Sequence, residues 1–297
     1  MKQPPLVEKD RVYGALRYSA NVDYFSATTE MRMDVPRLEK AAEQLKALSL
    51  VAGGVTVVAS SQGYRGWRCG SLFFGVREDG AWLEARGGLA DEAYERTGGI
   101  GLLVSRLDVC VTAWFVGESN YIIQRVKRVA DSFWKGQNKK WPAKPRYMDG
   151  MGEGDTFYVG SPGGRKMLRL YEKGVESGEV EYAGALRWEV QFRHEKAKAA
   201  YAALRSSPFR IRKMVAMVCG EFSVWGVPYP YVENVDPSPV LISYRSGDLD
   251  SKMKWFRDQV IPGLEKMGYH NLMHETIKVL IDTAYQLGYT SSKEDAT

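Results

Sequence analysis

The chain has 297 residues, with 41 Lys and Arg against 36 Asp and Glu, which gives a formal net charge of +5. Its 44% hydrophobic and 12% aromatic content is too apolar for a disordered protein and typical of a globular one. The length suits one large domain or two, and either can bury its own core.

Several protein classes are disfavoured by what the sequence lacks. No stretch is apolar over the roughly 20 residues that a membrane-spanning helix needs, and the first residues lack the apolar segment of a signal peptide. The three cysteines and three histidines form no CxxC and no HExxH, so neither a disulfide framework nor a zinc site is expected. We therefore expect reduced thiols, a cytoplasmic location and no membrane contact.

In chain order, a flexible tail over residues 1–20 precedes a strand at 21–28, where apolar and polar residues alternate. A helix follows Asp34, because Asp is a preferred N-cap residue and Pro36 suits the first helical turn. Strands separated by glycine turns fill residues 55–86. These turns lie at Gln62-Gly63, Cys69-Gly70 and Asp79-Gly80, the last predicting a hairpin. Two further turns are predicted at Gly87-Gly88 and Gly98-Gly99.

Beyond residue 100, strands come first and helices follow. Four further strands are predicted, at residues 102–115, 156–159, 166–173 and 186–193. Ser119 caps a helix after the first of these strands, and a loop rich in Gly and Lys spans residues 136–155. Helices are predicted at residues 195–205 and 207–221.

A strand-rich middle followed by helices predicts an α+β fold with a largely antiparallel sheet and packed helices. The expected organisation is a tail at 1–20, an α+β domain at 21–222, a proline-rich connecting arm at 223–250 and a helical region at 251–297. The arm is assigned on the four prolines within residues 224–246.

Three of the predicted strands alternate apolar and polar side chains in the same way. Because residues two apart share a face of a strand, each strand has one apolar row and one polar row. The polar rows are Arg106, Asp108, Cys110 and Thr112; Arg169, Tyr171 and Lys173; and Arg187, Glu189, Gln191 and Arg193. A solvated antiparallel sheet has such rows without any function, so the pattern alone does not identify a site.

If these rows converge, they assemble the groups that phosphodiester chemistry needs. Asp108 and Glu189 would hold Mg²⁺ or Mn²⁺, which polarises a phosphoryl oxygen, while Arg169 and Lys173 offset the developing negative charge. Tyr171 would be the nucleophile. A phenol with a pKa of about 10 is a poor nucleophile when neutral, so we expect Lys173 and the metal to favour its phenolate.

Positive charge is concentrated in two segments. Residues 125–146 contain eight Lys and Arg and one acid, and residues 193–213 contain seven and one. Trp134 and Trp141 lie in the first segment, where rings between cations favour stacking on unpaired bases. A solubilising surface is the ordinary alternative, but segregated charge favours nucleic-acid binding. The predicted DNA-binding residues are Arg125, Lys127, Arg128, Lys135, Lys139, Lys140, Arg187 and Arg193.

Several short motifs occur in a fixed order along the chain. S-R-L-D-V-C-V-T is followed by F-Y-V-G-S, by R-K-M-L-R-L-Y-E-K-G and by R-W-E-V-Q-F-R. This series resembles the replication initiation factor family (Rep_trans), the rolling-circle initiators and relaxases of small plasmids, integrative elements and phages. N-V-D-Y-F-S-A-T resembles the opening strand of that family, and K-W-F-R-D-Q-V-I-P-G-L resembles the helix after its core. The resemblance covers roughly residues 20–290.

The resemblance implies a metal-dependent DNA strand transferase that nicks one strand at an origin through a 5′-phosphotyrosine and rejoins it after synthesis. By motif position it implies Tyr171 as nucleophile, Asp108 and Glu189 as ligands of Mg²⁺ or Mn²⁺, and Arg169 and Lys173 as phosphate clamps. It implies DNA as partner, single-stranded or as supercoiled duplex, together with a host helicase and polymerase in a bacterial cytoplasm. Pairing of the C-terminal helices in a homodimer is a further option.

Two departures from the family pattern leave alternatives open. Thr112 stands where the family has a second acid, which leaves the metal shell one carboxylate short. A Pro-Gly-Gly insertion at 162–164 replaces the usual basic residue after Gly160-Ser161. The chain could instead be a DNA-binding protein that marks an origin or represses transcription without catalysis. Tyr158 is the alternative nucleophile. An RNA-binding protein would explain neither the tyrosine nor the paired acids.

Overall fold

The protein is described by a computed structural model over residues 7–8, 11–12, 14–30, 32–115, 119–134, 145–148, 154–161 and 163–240. The strands are β1 (Val7–Glu8), β2 (Arg11–Val12), β3 (Arg17–Thr29), β4 (Thr56–Ser61), β5 (Tyr64–Cys69), β6 (Leu72–Arg77), β7 (Gly80–Arg86), β8 (Leu103–Trp114), β9 (Pro145–Met148), β10 (Thr156–Gly160), β11 (Lys166–Glu172), β12 (Ala185–Arg193) and β13 (Tyr229–Pro230). The helices are α1 (Val35–Val51), α2 (Gly88–Arg96), α3 (Ser119–Trp134), α4 (Lys173–Ser177), α5 (Glu195–Arg205) and α6 (Arg210–Val224), with short 3-10 helices at Arg32–Asp34 and Val180–Tyr182.

Ten of the strands form one antiparallel sheet in the order β4-β5-β6-β7-β3-β8-β12-β11-β10-β9. The long strands β3 and β8 pair near the middle, which places the predicted polar rows of β8, β12 and β11 on adjacent strands. A small separate sheet contains β1, β2 and β13. This large antiparallel sheet with its helices confirms the predicted α+β fold.

The core lies between one face of the sheet and helices α1, α2, α5 and α6. The apolar rows point to these helices: Val109 of β8 and Trp188 and Phe192 of β12 are fully buried. Burial of each such side chain contributes about 1.5–3 kcal/mol, and this pairing of apolar row with helix face fixes the orientation of the strands. The polar rows therefore lie on the opposite face of the sheet.

Glycine and aspartate determine several element ends, in part as predicted. Gln62 and Gly63 form the two-residue turn between β4 and β5 with φ of 48° and 83°, the left-handed conformations of a type I′ turn. The hairpin predicted at Asp79-Gly80 joins β6 to β7. Asp34 precedes α1, but its carboxylate does not cap that helix. It instead accepts hydrogen bonds from Arg37 at 3.0 Å and from the backbone N–H of Gly101 at 3.1 Å.

Two elements lie where the sequence pattern predicts turns or loop. The glycine pair at Gly87-Gly88 begins helix α2, with Gly87 at φ 59° just before it, and Gly98-Gly99 follows its end. Strand β9 lies within the predicted loop at 136–155 and pairs with β10.

Part of the predicted tail pairs with the predicted arm. Arg11–Val12 lies parallel to Tyr229–Pro230, and Val12 is fully buried. The fully buried Val227 and the mostly buried Trp225 of the arm also belong to the main core, because apolar side chains at these positions cover α6 and the sheet.

The chain divides into two compact units, Met1–Leu241 and Ile242–Thr297. The end of the predicted arm and the whole helical region predicted at 251–297 lie outside the described residues. In the part of the chain that the structure describes, no helix has both the length and the apolar character needed to cross a membrane.

Candidate active site

The three predicted polar rows lie side by side on the face of the sheet opposite the helices. Antiparallel pairing connects their side chains in lines that cross the strands. One line runs Arg146, Tyr158, Arg169, Glu189, Cys110 and Asn21. The next runs Tyr171, Arg187, Thr112 and Ser19. A third runs Met167, Gln191, Asp108 and Tyr24. The fold thus brings the two predicted acids and the predicted nucleophile together.

The two predicted metal ligands each contact an arginine. Asp108 accepts a hydrogen bond from Nε of Arg106 at 3.0 Å and from the Gln191 amide at 3.3 Å. Glu189 accepts from Nη1 of Arg169 at 3.1 and 3.3 Å. Asp108 and Glu189 are only 2% and 1% exposed, so the guanidinium groups offset a desolvation penalty that either carboxylate would otherwise carry alone.

Burial shifts the protonation of both acids. Desolvation raises the pKa of Glu189 to about 7; the nearby Arg169 opposes this shift, and the Asp108 carboxylate adds to it. Burial likewise raises the pKa of Asp108, against the opposing effect of Arg106. Burial thus makes Glu189 a stronger proton acceptor than an exposed glutamate.

A third carboxylate, Asp23, belongs to this face and is not among the predicted site residues. A β-bulge between Val22 and Tyr24 makes Asp23 an extra residue of β3 opposite β8. Its Oδ1 accepts a hydrogen bond from Nη1 of Arg187 at 3.1 Å, while Nε of Arg187 donates to Oγ1 of Thr112 at 2.9 Å. Asp23 and Thr112 thus bind the same arginine, Arg187. Thr112 is the position at which the family pattern has a second acid.

The predicted nucleophile, Tyr171, is 3% exposed. Its hydroxyl donates to Oε2 of Glu189 at 3.3 Å, and the Arg169 guanidinium lies 4.8 Å from the centre of its ring. Burial, followed by the Glu189 charge, raises the pKa of Tyr171 above its usual range, while Arg187 and Arg169 oppose the rise. Tyr171 is therefore a neutral phenol whose proton already faces an acceptor.

Lys173 lies just beyond the end of β11, as the first residue of helix α4. Pairing of β11 with β12 ends at Glu172, which lies opposite Leu186. Its Nζ donates to Glu176 at 2.6 Å. The cations that oppose the rise in the Tyr171 pKa are Arg187 and Arg169 rather than this lysine.

The alternative nucleophile, Tyr158, lies on the next strand and is only half-buried. Its ring centre is 5.6 Å from the Arg146 guanidinium and 5.8 Å from that of Arg169. Arg169 therefore contacts the rings of both tyrosines, and the two differ mainly in exposure and in the hydrogen bond that Tyr171 makes to Glu189.

Carboxylate oxygens are the ligands that Mg²⁺ and Mn²⁺ prefer, and Asp108 and Glu189 provide them. Among the described residues, no three His, Cys, Asp or Glu side chains come together closely enough to hold an ion by themselves. The donor set fits an ion that completes its shell with water and a phosphate, as Mg²⁺ commonly does. Burial is the main cause of the raised Glu189 pKa, and the charges of Asp108 and Asp23 add to it; a divalent cation would offset that added negative charge.

The predicted DNA-binding residues fall into three groups. Arg187 and Arg193 lie on the polar face of β12, where Nε of Arg193 donates to Gln191 at 3.0 Å. Helix α3 carries Arg125, Lys127 and Arg128, and Nζ of Lys127 lies 5.0 Å from the ring centre of Tyr147 on β9. The remaining three, Lys135, Lys139 and Lys140, lie outside the described residues.

Comparison with known proteins concerns the fold and the family. A rolling circle replication initiator protein from Geobacillus stearothermophilus has a similar fold, with 19% identity, a TM-score of 0.51 and coverage of 76% of this chain and 93% of that chain. No curated protein sequence matches the chain. The sequence profile described as replication initiation factor matches residues 104–279, more than half of the chain, which includes β11, β12 and all but the first residue of β8. The protein therefore belongs to the replication initiation factor family.

Proposed function

We propose that this protein initiates rolling-circle DNA replication by nicking one strand at an origin through a 5′-phosphotyrosine and rejoining the strand after synthesis. Membership of the replication initiation factor family and the fold shared with a rolling circle replication initiator support the role in initiation. The observation that carries the chemistry is the hydrogen bond from the Tyr171 hydroxyl to Glu189, with Arg169 against the same ring.

In the proposed nicking step, the Tyr171 oxygen attacks phosphorus and passes its proton to Oε2 of Glu189. The bond from phosphorus to the 3′ oxygen breaks, and that oxygen leaves as a 3′-hydroxyl after taking up a proton. Burial raises the pKa of Glu189, so this carboxyl accepts the phenol proton more readily than an exposed glutamate would. In rejoining, the 3′-hydroxyl attacks the phosphotyrosine and Tyr171 regains its proton.

The arginines supply positive charge where the phosphate would lie. Arg169 contacts the Tyr171 ring, and Arg187 is its cross-strand partner, so both are placed to stabilise the phenolate and the transferring phosphoryl group. Asp108 and Glu189 would hold Mg²⁺ or Mn²⁺, which when bound polarises a phosphoryl oxygen. Arg193 and the cations of α3 would bind the flanking backbone.

A DNA-binding protein without catalysis is the second candidate. Two observations favour it: Tyr171 is almost fully buried, and Thr112 replaces an acid of the family pattern. Such a protein would mark an origin or repress transcription with the same basic residues and would form no covalent bond to DNA.

The deciding experiment uses supercoiled DNA that carries this protein's gene and its flanks. The DNA is incubated with protein and Mg²⁺ or Mn²⁺, the reaction is stopped with SDS, and nicked DNA bound covalently to protein is measured. We expect an adduct that requires metal, disappears in Tyr171→Phe and persists in the matched control Tyr158→Phe.

Each other outcome has a distinct meaning. An adduct that survives in Tyr171→Phe and disappears in Tyr158→Phe would move the nucleophile to the more exposed tyrosine. Specific DNA binding with no adduct under either metal would establish the second candidate.

A further inference from the structure

Two aromatic rings, Trp114 and Tyr182, lie together at one end of the polar face. Trp114 is the last residue of β8 and continues the row of Asp108, Cys110 and Thr112. Tyr182 ends the 3-10 helix Val180–Tyr182. The ring planes differ by 17° and the ring centres are 5.9 Å apart, which is an offset stack, and both residues are partly exposed.

The stack is held in place by hydrogen bonds to a single backbone carbonyl. The Trp114 indole N–H donates to the carbonyl oxygen of Glu181 at 2.8 Å, and Nη2 of Arg17 donates to the same oxygen at 3.1 Å. The Arg17 guanidinium lies 4.1 Å from the centre of the indole ring. A ring pair fixed in this way loses little conformational freedom when a further planar group stacks on it.

Cations surround the ring pair. Besides Arg17, the Nζ of Lys173 lies 5.5 Å and the Arg187 guanidinium 5.8 Å from the centre of the Tyr182 ring. Aromatic rings interleaved with cations are the combination that binds single-stranded DNA, since bases stack on the rings and phosphates contact the cations.

The position of the stack relates it to the proposed chemistry. Tyr171 pairs with Arg187 across the strands, Arg187 pairs with Thr112, and Trp114 follows Thr112 by two residues. Tyr171 and Thr112 are two strand spacings apart, about 9.5 Å, and Trp114 lies about 6.7 Å further along β8, so the Tyr171 and Trp114 backbones are roughly 12 Å apart. A phosphate at Tyr171 would therefore place a base within about two nucleotides of it at the ring pair.

We propose that Trp114 and Tyr182 form a binding site for the base of an unpaired deoxynucleotide within two nucleotides of the scissile phosphate. Arg17 and Lys173 contact the backbone of that nucleotide. The site rests on the proposed function for its position relative to the cleaved bond. Its affinity for single-stranded DNA does not depend on catalysis, and this separates the two in experiment.

The first test measures binding without metal, by fluorescence anisotropy, to an oligothymidylate and to an abasic strand of the same length. Both probes carry the same backbone charge, so the ratio of their affinities reports the bases alone. We expect Tyr182→Leu to weaken oligothymidylate binding about 5- to 100-fold, the effect of losing one stacked base, and to leave the abasic strand nearly unchanged. Tyr182→Phe should retain the wild-type ratio.

Tyr18→Ala is the matched control, because Tyr18 is an exposed aromatic residue on β3 that pairs with Ala113 and so lies on the other face of the sheet. It should leave both affinities unchanged. A Tyr182→Leu effect equal on both strands, or no effect in a variant that melts like the wild type, would overturn the proposal. The wild type and all variants could fail to form a DNA adduct while Tyr182→Leu still weakens binding to oligothymidylate alone. In that case the stacking site stands and the nicking mechanism fails.

The second test locates the bound base once the nick has been mapped. Single abasic nucleotides are placed along a strand that spans the nick, and binding to Tyr171→Phe is measured. We expect one sensitive position within two nucleotides of the cleaved bond, and no sensitivity there when Tyr182→Leu is added. A sensitive position further away would contradict the placement.

Discussion

At the scale of single residues, Glu189 is the side chain of the polar face that binds both the predicted nucleophile and an arginine. One oxygen accepts the Tyr171 hydroxyl, both accept from Arg169, and the side chain is almost fully buried. The same carboxyl is thus proposed both as a metal ligand and as the acceptor of the phenol proton. Its raised pKa follows mainly from burial rather than from any one neighbour.

Glu189 makes the stability of the metal-free protein depend on pH. Its pKa is 4.5 in the unfolded chain and about 7 in the folded one, so the folded state binds this proton more tightly. The free energy of unfolding should therefore fall as pH rises from about 4.5 to 7, by roughly 3 kcal/mol from this group. Urea unfolding with a chelator at pH 5, 6, 7 and 8 measures the slope.

Glu189→Gln should flatten that slope, because the amide does not titrate. The control is Glu176→Gln, which changes a half-exposed glutamate paired with Lys173 and should leave the slope as it is. A wild-type stability that rises between pH 5 and 7, or an equal slope in Glu189→Gln, would contradict the assignment.

Alternation along β8, β11 and β12 was enough to place Asp108, Tyr171 and Glu189 on one face, because side chains of regular strands follow a period of two. The same rule gives no information about where the pairing of β11 ends, so it did not predict that Lys173 begins α4. The rule also failed for Asp23. Strict alternation would place Asp23 and Phe25 on the same face of β3, but the bulge after Val22 breaks the alternation, and Phe25 is fully buried in the core.

At the scale of elements, the outer hairpin β5–β6 depends on two small residues that face each other. Gly66 pairs with Gly75 across the strands. A Cβ on Gly66 would overlap the Phe74 carbonyl oxygen and lie 2.7 Å from Cα of Gly75. Gly66→Ala should therefore separate the strands and lower the free energy of unfolding by about 1–3 kcal/mol, measured by urea denaturation.

Gly88→Ala is the matched glycine control. Gly88 is the first residue of α2, its φ is not left-handed, and an added Cβ would meet no atom within 4 Å. Because Ala favours helices over Gly, the change should be neutral or stabilise by up to about 1 kcal/mol. Equal losses in the two variants would mean that the close strand contact is not the cause.

The elements most accurately predicted are those with a strong local signal. The helix at residues 195–205 and the type I′ turn at Gln62-Gly63 depend on neighbouring residues alone. Helix α2 was missed because its flanking glycines also suit turns, and a non-local contact, the hydrogen bond from the Gly87 N–H to the Asp23 carbonyl of β3, is not visible in the local sequence. Strand β9 was missed because it is an edge strand of four residues, held by pairing with β10.

At the scale of the whole molecule, the first compact unit ends at a well-anchored segment. The backbone N–H of Val240 donates to Oε1 of Glu221 at 2.9 Å, and the Val240 carbonyl accepts from Lys196. Glu221 also pairs with Lys166 of β11, so this point joins α5, α6 and the sheet.

A chain that ends after Leu241 should therefore fold by itself. We expect it to keep the circular dichroism spectrum of a mixed α and β protein and to melt cooperatively. A chain that ends after Tyr231 should be less stable by several kcal/mol, because it leaves the buried Glu221 with one partner fewer and uncovers apolar surface beneath Val232 and Val240. Non-cooperative melting of the longer chain would show that residues 242–297 are required for the fold.

Because Asp23 is a bulge residue, its carboxylate can be present or absent without a change in the pairing of β3 with β8. Asn21 pairs with Cys110, Val22 with Val109 and Tyr24 with Asp108, so the pairing continues as though Asp23 were absent. A gene with one codon fewer would lose this carboxylate and the hydrogen bond that its carbonyl accepts from Gly87, yet it would keep each of these cross-strand partners. In evolutionary terms, the acidity of this surface can change by a single insertion or deletion while the sheet around it is inherited intact.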